Sequence, residues 1–326
     1  MIDRPIVVLA GGVGAARFLE GLVQVVPPER VTAIVNTGDD AEFFGLYVSP
    51  DIDTVLYTLA ELVEPSQGWG VRDDTEHALD MLRTLGHDTW FKLGDRDLAV
   101  HVHRTEMLRA GATHSEVTED LRQRLGLGTR LLPMSDQIVR TRVRTPDGWL
   151  DFQEYFVRRR SADDVLGIAY DGAEASRPAP GVLDAIAGAA TVLLAPSNPL
   201  VSIGTILAVP GIRDALARTA APVVAVSPIV GGATIKGPAD RMMRGLGMEV
   251  SAVGVAAAYA DFLDVLVLDE QDRALAPRVE AAGVRAVVAD TIMRDLAAKA
   301  NLARVVLAAA GLPPASVTGA PPPSAS

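Results

Sequence analysis

The chain has no cysteine among its 326 residues. That excludes disulfides, a thiol nucleophile and a thiolate metal site. Aromatic residues make up only 5%, so alanine, valine and leucine must fill most of any core. Basic residues are outnumbered, 30 Lys and Arg against 41 Asp and Glu, for a net charge of −11. That sign argues against nucleic acid or an anionic membrane as the general partner, and leaves room for a local basic pocket. No uninterrupted apolar run is long enough to span a bilayer. The N-terminus lacks the basic-then-apolar pattern of a signal peptide, because Ile6 to Ala10 is short and runs straight into glycines. The expectation is a soluble cytoplasmic protein.

What the chain does have is apolar bulk and glycine turns. Its 49% hydrophobic residues can bury a substantial core in one large α/β domain or two smaller ones. The organising stretch is Pro5 to Leu19. An apolar run, Ile6 to Ala10, ends in Gly11, Gly12 and Gly14, and a helical pattern carrying Phe18, Leu19 and Leu22 follows. That is the layout of a buried parallel strand, a tight turn and a helix N-terminus. Glycine permits a positive φ there and leaves no Cβ in the way of a ligand. The free N–H groups at the helix start favour an anion, usually a phosphate. Gly12-x-Gly14-x-x-Arg17 is an imperfect dinucleotide fingerprint, and such a turn also serves simply to pack a strand closely on a helix.

A second buried strand, Val31 to Asn36, leads into Thr37-Gly38-Asp39-Asp40. A helix face marked by Val55, Leu56, Leu59 and Leu62 starts near Asp51 and Asp53. One carboxylate suffices to cap a helix. Four at two successive strand-to-helix turns of a parallel sheet should face one crevice. From Trp69 the rhythm changes and predicts a smaller inserted lobe, roughly residues 70–165, of helices and a β-hairpin. Asp73 with Glu76, and Thr113 with Glu116, have the spacing of capping boxes. Lys92, Asp95, Arg96 and Asp97 crowd one turn. A helical start follows that turn; His101 and His103 lie two apart, which suits one strand face but not one helix face, and a metal pair is one reading, although no third ligand is evident. Arg140, Arg142 and Arg144 line one face of the first hairpin strand, Asp147-Gly148 makes the tip, and Trp149 to Val157 returns.

Beyond Val165, apolar runs at Thr191 to Ala195, Val223 to Val226, Val265 to Leu268 and Ala286 to Ala289 read as buried strands separated by helices. The fold class is therefore α/β, a Rossmann-like, doubly wound, mostly parallel sheet in a single domain over residues 1–312. The loops Ala195 to Gly204 and Ser227 to Ala239 carry short hydroxyl and amide donors, glycines and one lysine, a composition suited to phosphate or base edges. Neither is a Walker loop, because no G-K-[ST] follows the glycines. The Pro/Ala/Ser-rich tail, residues 313–326, reads as disordered.

Seven motifs in order then carry a resemblance. They are Gly11-Gly12-Val13-Gly14, Asn36-Thr37-Gly38-Asp39-Asp40, Ser49 to Val55, Leu93 to Asp97, Leu132 to Asp136, Pro196 to Gly204 and Ser227 to Gly232. Together they resemble the CofD/FbiA transferases of coenzyme F420 biosynthesis, up to about Leu312. The resemblance implies transfer of a phosphate-linked three-carbon acid from a guanosine-activated donor to the terminal ribityl hydroxyl of the deazaflavin Fo, releasing GMP. It implies small-molecule substrates and a homodimer. The Ala/Arg-rich composition and the basic Val157 to Arg160 lean toward the actinobacterial form, which is expected to use enolpyruvyl-2-diphospho-5'-guanosine and make dehydro-F420-0. The alternative is the lactyl donor, giving F420-0.

Matched onto that family, Asp53 and Lys92 are expected to contact Fo, and Arg96 the transferred phosphate. Asp40, Asp51 and Asp53 are the catalytic candidates. Asp40 and Asp51 are candidates for metal binding or proton acceptance, with Mg²⁺ as the ion, since one or two carboxylates plus phosphate oxygens are its usual ligands. The guanosine nucleotide is expected against Gly11, Gly12, Gly14, Asn36, Ser197, Asn198, Ser202 and Gly204. Two rivals differ in kind. An NAD dehydrogenase would want an acid at the end of the second strand, where this chain has Asn36. A nucleotide-sugar-binding regulator of the same fold would lack the Trp90-Phe91-Lys92-Leu93-Gly94-Asp95-Arg96-Asp97 context.

Overall fold

A strand covered on both faces has no polar side to alternate with, and Ile6–Ala10 (β1) and Val31–Val35 (β2) bury all of their residues. In the computed structural model, which describes residues 4–312, these two strands are neighbours in a seven-stranded sheet. The other members are β5 (Arg130–Pro133), β9 (Thr191–Leu194), β10 (Val223–Val226), β13 (Val265–Asp269) and β14 (Arg285–Ala289). The order is β14-β13-β10-β9-β1-β2-β5, with every neighbouring pair parallel. Ile6 is in register with Val31 on one side and Thr191 on the other. Alternate residues feed two apolar layers. Val7, Leu9, Val192 and Leu194 enter one, and Ile6, Val8, Leu193 and Val224 the other. Each such side chain, fully buried, contributes roughly 1.5–3 kcal/mol. The tail expected to be disordered, residues 313–326, lies outside the described residues.

The remaining strands are short antiparallel pieces. β3 (Ala41–Phe43) and β4 (Leu46–Val48) form a ribbon directly after Asp40. β6 (Arg140–Thr145), β7 (Gly148–Asp151) and β8 (Gly167–Asp171) form a three-stranded sheet in the order β7-β6-β8. β11 (Ile229–Val230) and β12 (Ala233–Thr234) make a second ribbon. Helix α1 is Gly12–Leu22 and α2 is Pro50–Leu59. α3 (His77–Thr84), α4 (Asp95–Arg109) and α5 (His114–Arg124) make the helical part of the insertion. β5 then returns to the main sheet, so the stretch expected as one lobe consists of a helical piece before β5 and a small sheet after it.

Four local expectations need correction. His101 and His103 form no metal pair: the helical start continues through both as α4, so two residues apart they point to different sides, His101 buried and His103 paired with Asp120 at 2.7 Å. Among the described residues no group of three or more His, Cys, Asp or Glu is arranged to hold a metal ion. The return strand of the hairpin stops at Asp151, because Phe152 and Tyr155 bury together at helical spacing and the chain winds up over Glu154–Arg158. The opposite edge of β6 pairs with β8, a strand that the hairpin reading did not include.

The fourth correction concerns helix caps. Thr113 and Glu116 form the expected capping box on α5. Asp73 and Glu76 do not, because Asp73 sits at φ 52°, outside the extended backbone an N-cap needs. The starts of α3 and α4 lie side by side and exchange caps instead. Asp95 accepts from His77 N at 3.1 Å and Ala78 N at 2.9 Å, while Asp74 accepts from Arg96 N at 2.9 Å and Asp97 N at 3.1 Å. Asp95→Ala should therefore lower the urea midpoint of unfolding and speed amide exchange at the start of α3. Glu76→Ala should leave that exchange at the wild-type rate; equal effects would mean the cross-cap is not what holds the turn.

Candidate active site

In a parallel sheet the loops after the strands all open on one edge, and a crevice forms where the chain direction reverses. Here the chain leaves β1 for β2 on one side and comes back to β9 on the other. The reversal brings the Gly11–Gly12 turn, the Asn36–Asp40 turn and the Ala195–Ser202 loop together, with the first turn of α2 beneath them. Gly12 has φ 72°, which is why glycine is needed there. Gly14 is required by contact, since a Cβ would collide with the Pro196 carbonyl. The Gly11 amide donates to Ser197 Oγ at 3.3 Å, and a Cβ on Gly11 would run into Ser202. Gly11, Gly12, Asn36, Ser197 and Ser202 thus share one edge. Asn198 turns away: its Oδ1 accepts from Leu200 N at 2.9 Å and Val201 N at 3.3 Å, so it shapes the loop. Gly204 packs under the Tyr170 hydroxyl.

The acids expected to face one crevice split into two environments. Asp51 is buried beneath the glycine turn, taking a hydrogen bond from Asn36 Nδ2 at 2.9 Å and one from the Gly12 backbone. Burial pushes its carboxyl up to about 6, with Asn36 and Gly12 opposing. Asp39 is raised well above the carboxylate range, first by burial and then by the charge of Asp51. Its Oδ1 and the Thr37 hydroxyl are buried without a hydrogen-bond partner. Asp40 spends both oxygens, accepting from Ser49 Oγ at 2.8 Å and Tyr47 OH at 3.0 Å. Burial lifts it to about 7 against those bonds and the charges of Arg140 and Arg104. His114 Nε2 stands 3.8 Å from Asp40, and burial together with Arg104 and Arg140 pushes that imidazole down to about 3.

Asp53 is different. Both of its oxygens bind the guanidinium of Arg104, a residue only 1% exposed. Arg104 Nη1 also donates to His101 Nδ1 at 3.1 Å. Because arginine can only donate, the His101 proton sits on Nε2, which lies 3.2 Å from Asp97 Oδ1. Tyr57 OH donates to the same oxygen at 2.7 Å. Burial alone would raise Asp97; His101, Tyr57 and Arg104 together hold it below the usual carboxylate range. Asp97 in turn lines a cavity of about 140 Å³ in the helical insertion, with Trp69, Asp73, Asp74, Glu76 and Lys92. Lys92 is tied to Glu76 at 2.6 Å on its wall. Arg96 is not on that wall; its Nη1 donates to the Arg72 carbonyl at 3.3 Å.

Arg104, Tyr57 and His114 did not stand out in the sequence; His101 and Asp97 did, but as half of a metal pair and as part of a charged turn. Asp97, His101 and Arg104 are spaced i, i+4, i+7, one helical face, and would have been grouped had their segment been read as one helix. For Mg²⁺, the residues fit an ion held by few protein ligands: Asp39 offers a partnerless oxygen, Asp51 repels it electrostatically, and a cation between them would relieve both. Asp40, with both oxygens occupied, offers less.

A family model described as 2-phospho-L-lactate transferase CofD matches residues 6–308. A phosphoenolpyruvate transferase of Kitasatospora aureofaciens is 48% identical over 312 residues, 94% of this chain and 97% of that protein. One of Streptomyces griseus is 49% identical over 93% of this chain and 97% of its own. A 2-phospho-L-lactate transferase of Methanosarcina acetivorans is 40% identical over 92% and 97%. Among solved structures, a member of the UPF0052 family from Bacillus halodurans shares the fold, with TM-score 0.63, 15% identity, and coverage of 94% of this chain and 99% of that one.

Asp40 and His114 pull stability in opposite directions with pH. Asp40 is raised on folding to about 7, so the folded state holds the extra proton and Asp40's contribution falls as pH rises from about 4 to 7. His114 is lowered to about 3, so its contribution grows as pH rises from about 3 to 6.5. Relative to wild type, Asp40→Asn should make the melting temperature climb more steeply between pH 4.5 and 6.5, and His114→Asn should make it climb less. Melting curves at four pH values read this; two variants tilting the same way would refute the assignment.

Proposed function

The chain belongs to the CofD family of 2-phospho-L-lactate transferases, and we propose that it moves the phosphoenolpyruvyl group of enolpyruvyl-2-diphospho-5'-guanosine to the ribityl hydroxyl of the deazaflavin Fo, giving dehydro-F420-0 and GMP. The protein is an enzyme of the phosphoenolpyruvate and 2-phospho-L-lactate transferase type. The observation that carries the choice of donor is the higher identity to the phosphoenolpyruvate transferases than to the 2-phospho-L-lactate transferases. The lactyl donor, differing by two hydrogens, is the second reading.

The site supports a division of labour. The insertion cavity is lined by carboxylates with one lysine and Trp69, which repels an anionic donor and suits a neutral, polyhydroxylated heterocycle. Lys92, on the cavity wall, would contact the acceptor. Asp97, held ionised, orients the acceptor's hydroxyls by accepting from them. Asp53 acts one step back by anchoring Arg104, instead of touching Fo. The glycine turn, Ser197 and Ser202, on the edge that Asn36 braces from within, receive the guanosine diphosphate. In the reaction the ribityl oxygen bonds to the distal phosphorus, the bridge to the GMP phosphate breaks, and GMP leaves. The hydroxyl proton passes toward Asp40, whose value near 7 suits a general base at neutral pH, through the hydroxyls of Ser49 and Tyr47. Asp51, with Asp39, would hold Mg²⁺, which when bound neutralises phosphate charge. Arg96 stays a candidate for phosphate only if its bond to Arg72 opens. Family resemblance also supports a cytoplasmic homodimer; among the described residues no helix is long and apolar enough to cross a membrane.

Mass spectra of protein incubated with Fo, Mg²⁺ and each donor in separate tubes test the reading. Dehydro-F420-0 from the enolpyruvyl donor is expected, with none after EDTA. Product from the lactyl donor alone would move the assignment to that substrate, and a native spectrum giving only monomer mass would remove the dimer. The two helix-start aspartates should also separate. Asp51→Asn should fold as the wild type does and lose turnover. Asp53→Asn leaves Arg104 buried without its counter-charge and should cost about 3 kcal/mol of stability or more, read as a drop in urea midpoint. An Asp53→Asn protein as stable as wild type would undo its anchoring role.

A further inference from the structure

Two cations meet in this acidic chain with no acid between them. Arg17 lies on α1, one turn past the glycine turn, and Lys236 lies just beyond β12 in the glycine-rich loop that follows β10. Lys236 Nζ donates to the Gln67 carbonyl at 2.9 Å. The next residue, Gly68, at φ 79°, packs against α1 so closely that a Cβ there would stand 2.7 Å from Val13 Cγ1 and 3.7 Å from both Nε and Nη2 of Arg17. One peptide, Gln67–Gly68, thus brings the two positive groups to the same place. Neither enters an ion pair with a carboxylate among the described residues, although most other arginines and lysines of the insertion do. Their repulsion is felt: burial first, then the charge of Arg17, lowers the Lys236 ammonium from its usual range. Like charges held together without a counter-ion are the arrangement a bound anion would satisfy.

Their position says which anion. Gln67 also lines the acid-rich cavity assigned to the neutral acceptor, and Arg17 rides on the helix whose first turn is Gly12. The two cations therefore stand at the seam between acceptor cavity and nucleotide crevice, where the transferred group must lie. We propose that Arg17 and Lys236 form the subsite for the acidic three-carbon end of the donor, its carboxylate and the phosphate that is transferred, an assignment that rests on the transferase reading above. The planar guanidinium matches a carboxylate two-point, and the ammonium serves as a point charge for phosphate oxygens. The subsite would fix the phosphorus facing the acceptor hydroxyl, and it gives a net acidic protein the local positive charge that the doubly anionic end of the donor needs.

Steady-state kinetics on the full chain test this with Arg17→Gln, Lys236→Gln and Lys236→Arg. Each Gln variant should raise the KM for the guanosine-activated donor about ten-fold, the loss of one charge-assisted hydrogen bond. The KM for Fo, and the inhibition constant of GMP, which lacks both the three-carbon acid and the transferred phosphate, should stay at wild-type values. Lys236→Arg should keep a donor KM close to wild type. An unchanged donor KM in an active series overturns the subsite. So does an equal loss of GMP affinity, which would place the cations on the phosphate that leaves with the nucleoside, or a rise in the Fo KM, which would mean they only shape the cavity. A wild-type protein that binds GDP yet turns over neither donor removes the transferase reading, and the subsite with it.

Discussion

Arg104 is the charge on which the polar interior depends. It is almost wholly buried on α4, and a guanidinium cannot shed its proton to escape the desolvation cost. Asp53, from the first turn of α2, answers it with both oxygens. That pair ties the helical insertion to the main sheet's crevice. It also sets the chemistry on either side. By donating to His101 Nδ1 it leaves the His101 proton pointing at Asp97, and its field helps keep Asp97 ionised. On the other side the same field opposes the lift of Asp40 and helps hold His114 neutral. One buried cation thus sorts its neighbours into an ionised carboxylate at the cavity, a carboxyl near neutrality at the crevice, and an uncharged imidazole at His114.

The distribution of charge is more informative than the total. A net −11 describes the surface as a whole, yet the acids and bases are not mixed evenly around the site. The cavity of the insertion is walled by carboxylates, the crevice buries Asp39, Asp40 and Asp51 within reach of one another's fields, and Arg17 and Lys236 stand together at the junction. Holding acids so close and so dry is unfavourable for folding alone. Such a local conflict is what a site built for charged substrates is expected to retain.

The main sheet was legible because a doubly covered parallel strand writes a continuous apolar run. Val223–Val226 and Val265–Asp269 begin where the sequence puts them. The clustering of Asp39, Asp40, Asp51 and Asp53 at two turns was legible too, since parallel topology sends both turns to one edge. The roles within that cluster were not. Asp51 and Asp53 are two residues apart on a helix, so they point to different sides, one under the glycine turn and one toward Arg104. Helix α4 was legible only as a helical start after a charged turn, because its inward face is polar: His101, Arg104 and Thr105 are its buried residues. Apolar periodicity cannot report a helix that buries charge. The exchanged caps of α3 and α4 were invisible for a related reason, since a cap supplied by another helix leaves no local spacing.

Asn36 shows how one residue separates this site from the dinucleotide sites whose turn it shares. At the end of the second strand a dinucleotide-binding sheet uses an acid to read ribose hydroxyls. Here the amide is used up within the protein. Its nitrogen donates to Asp51 at 2.9 Å and to the Val201 carbonyl at 3.4 Å, and its oxygen accepts from Gly38 N at 2.9 Å. The position that would face a ligand is a brace instead, joining the turn after β2, the first turn of α2 and the loop after β9. Replacing the amide with an acid would set a third buried carboxylate against Asp51 and Asp39 and remove the donor that keeps Asp51 within reach of neutrality. The glycine turn is shared with dinucleotide folds because strand, turn and helix share a geometry. The amide differs because this crevice buries its carboxylates in the floor, where Asp51 needs a donor and not a third acid beside it.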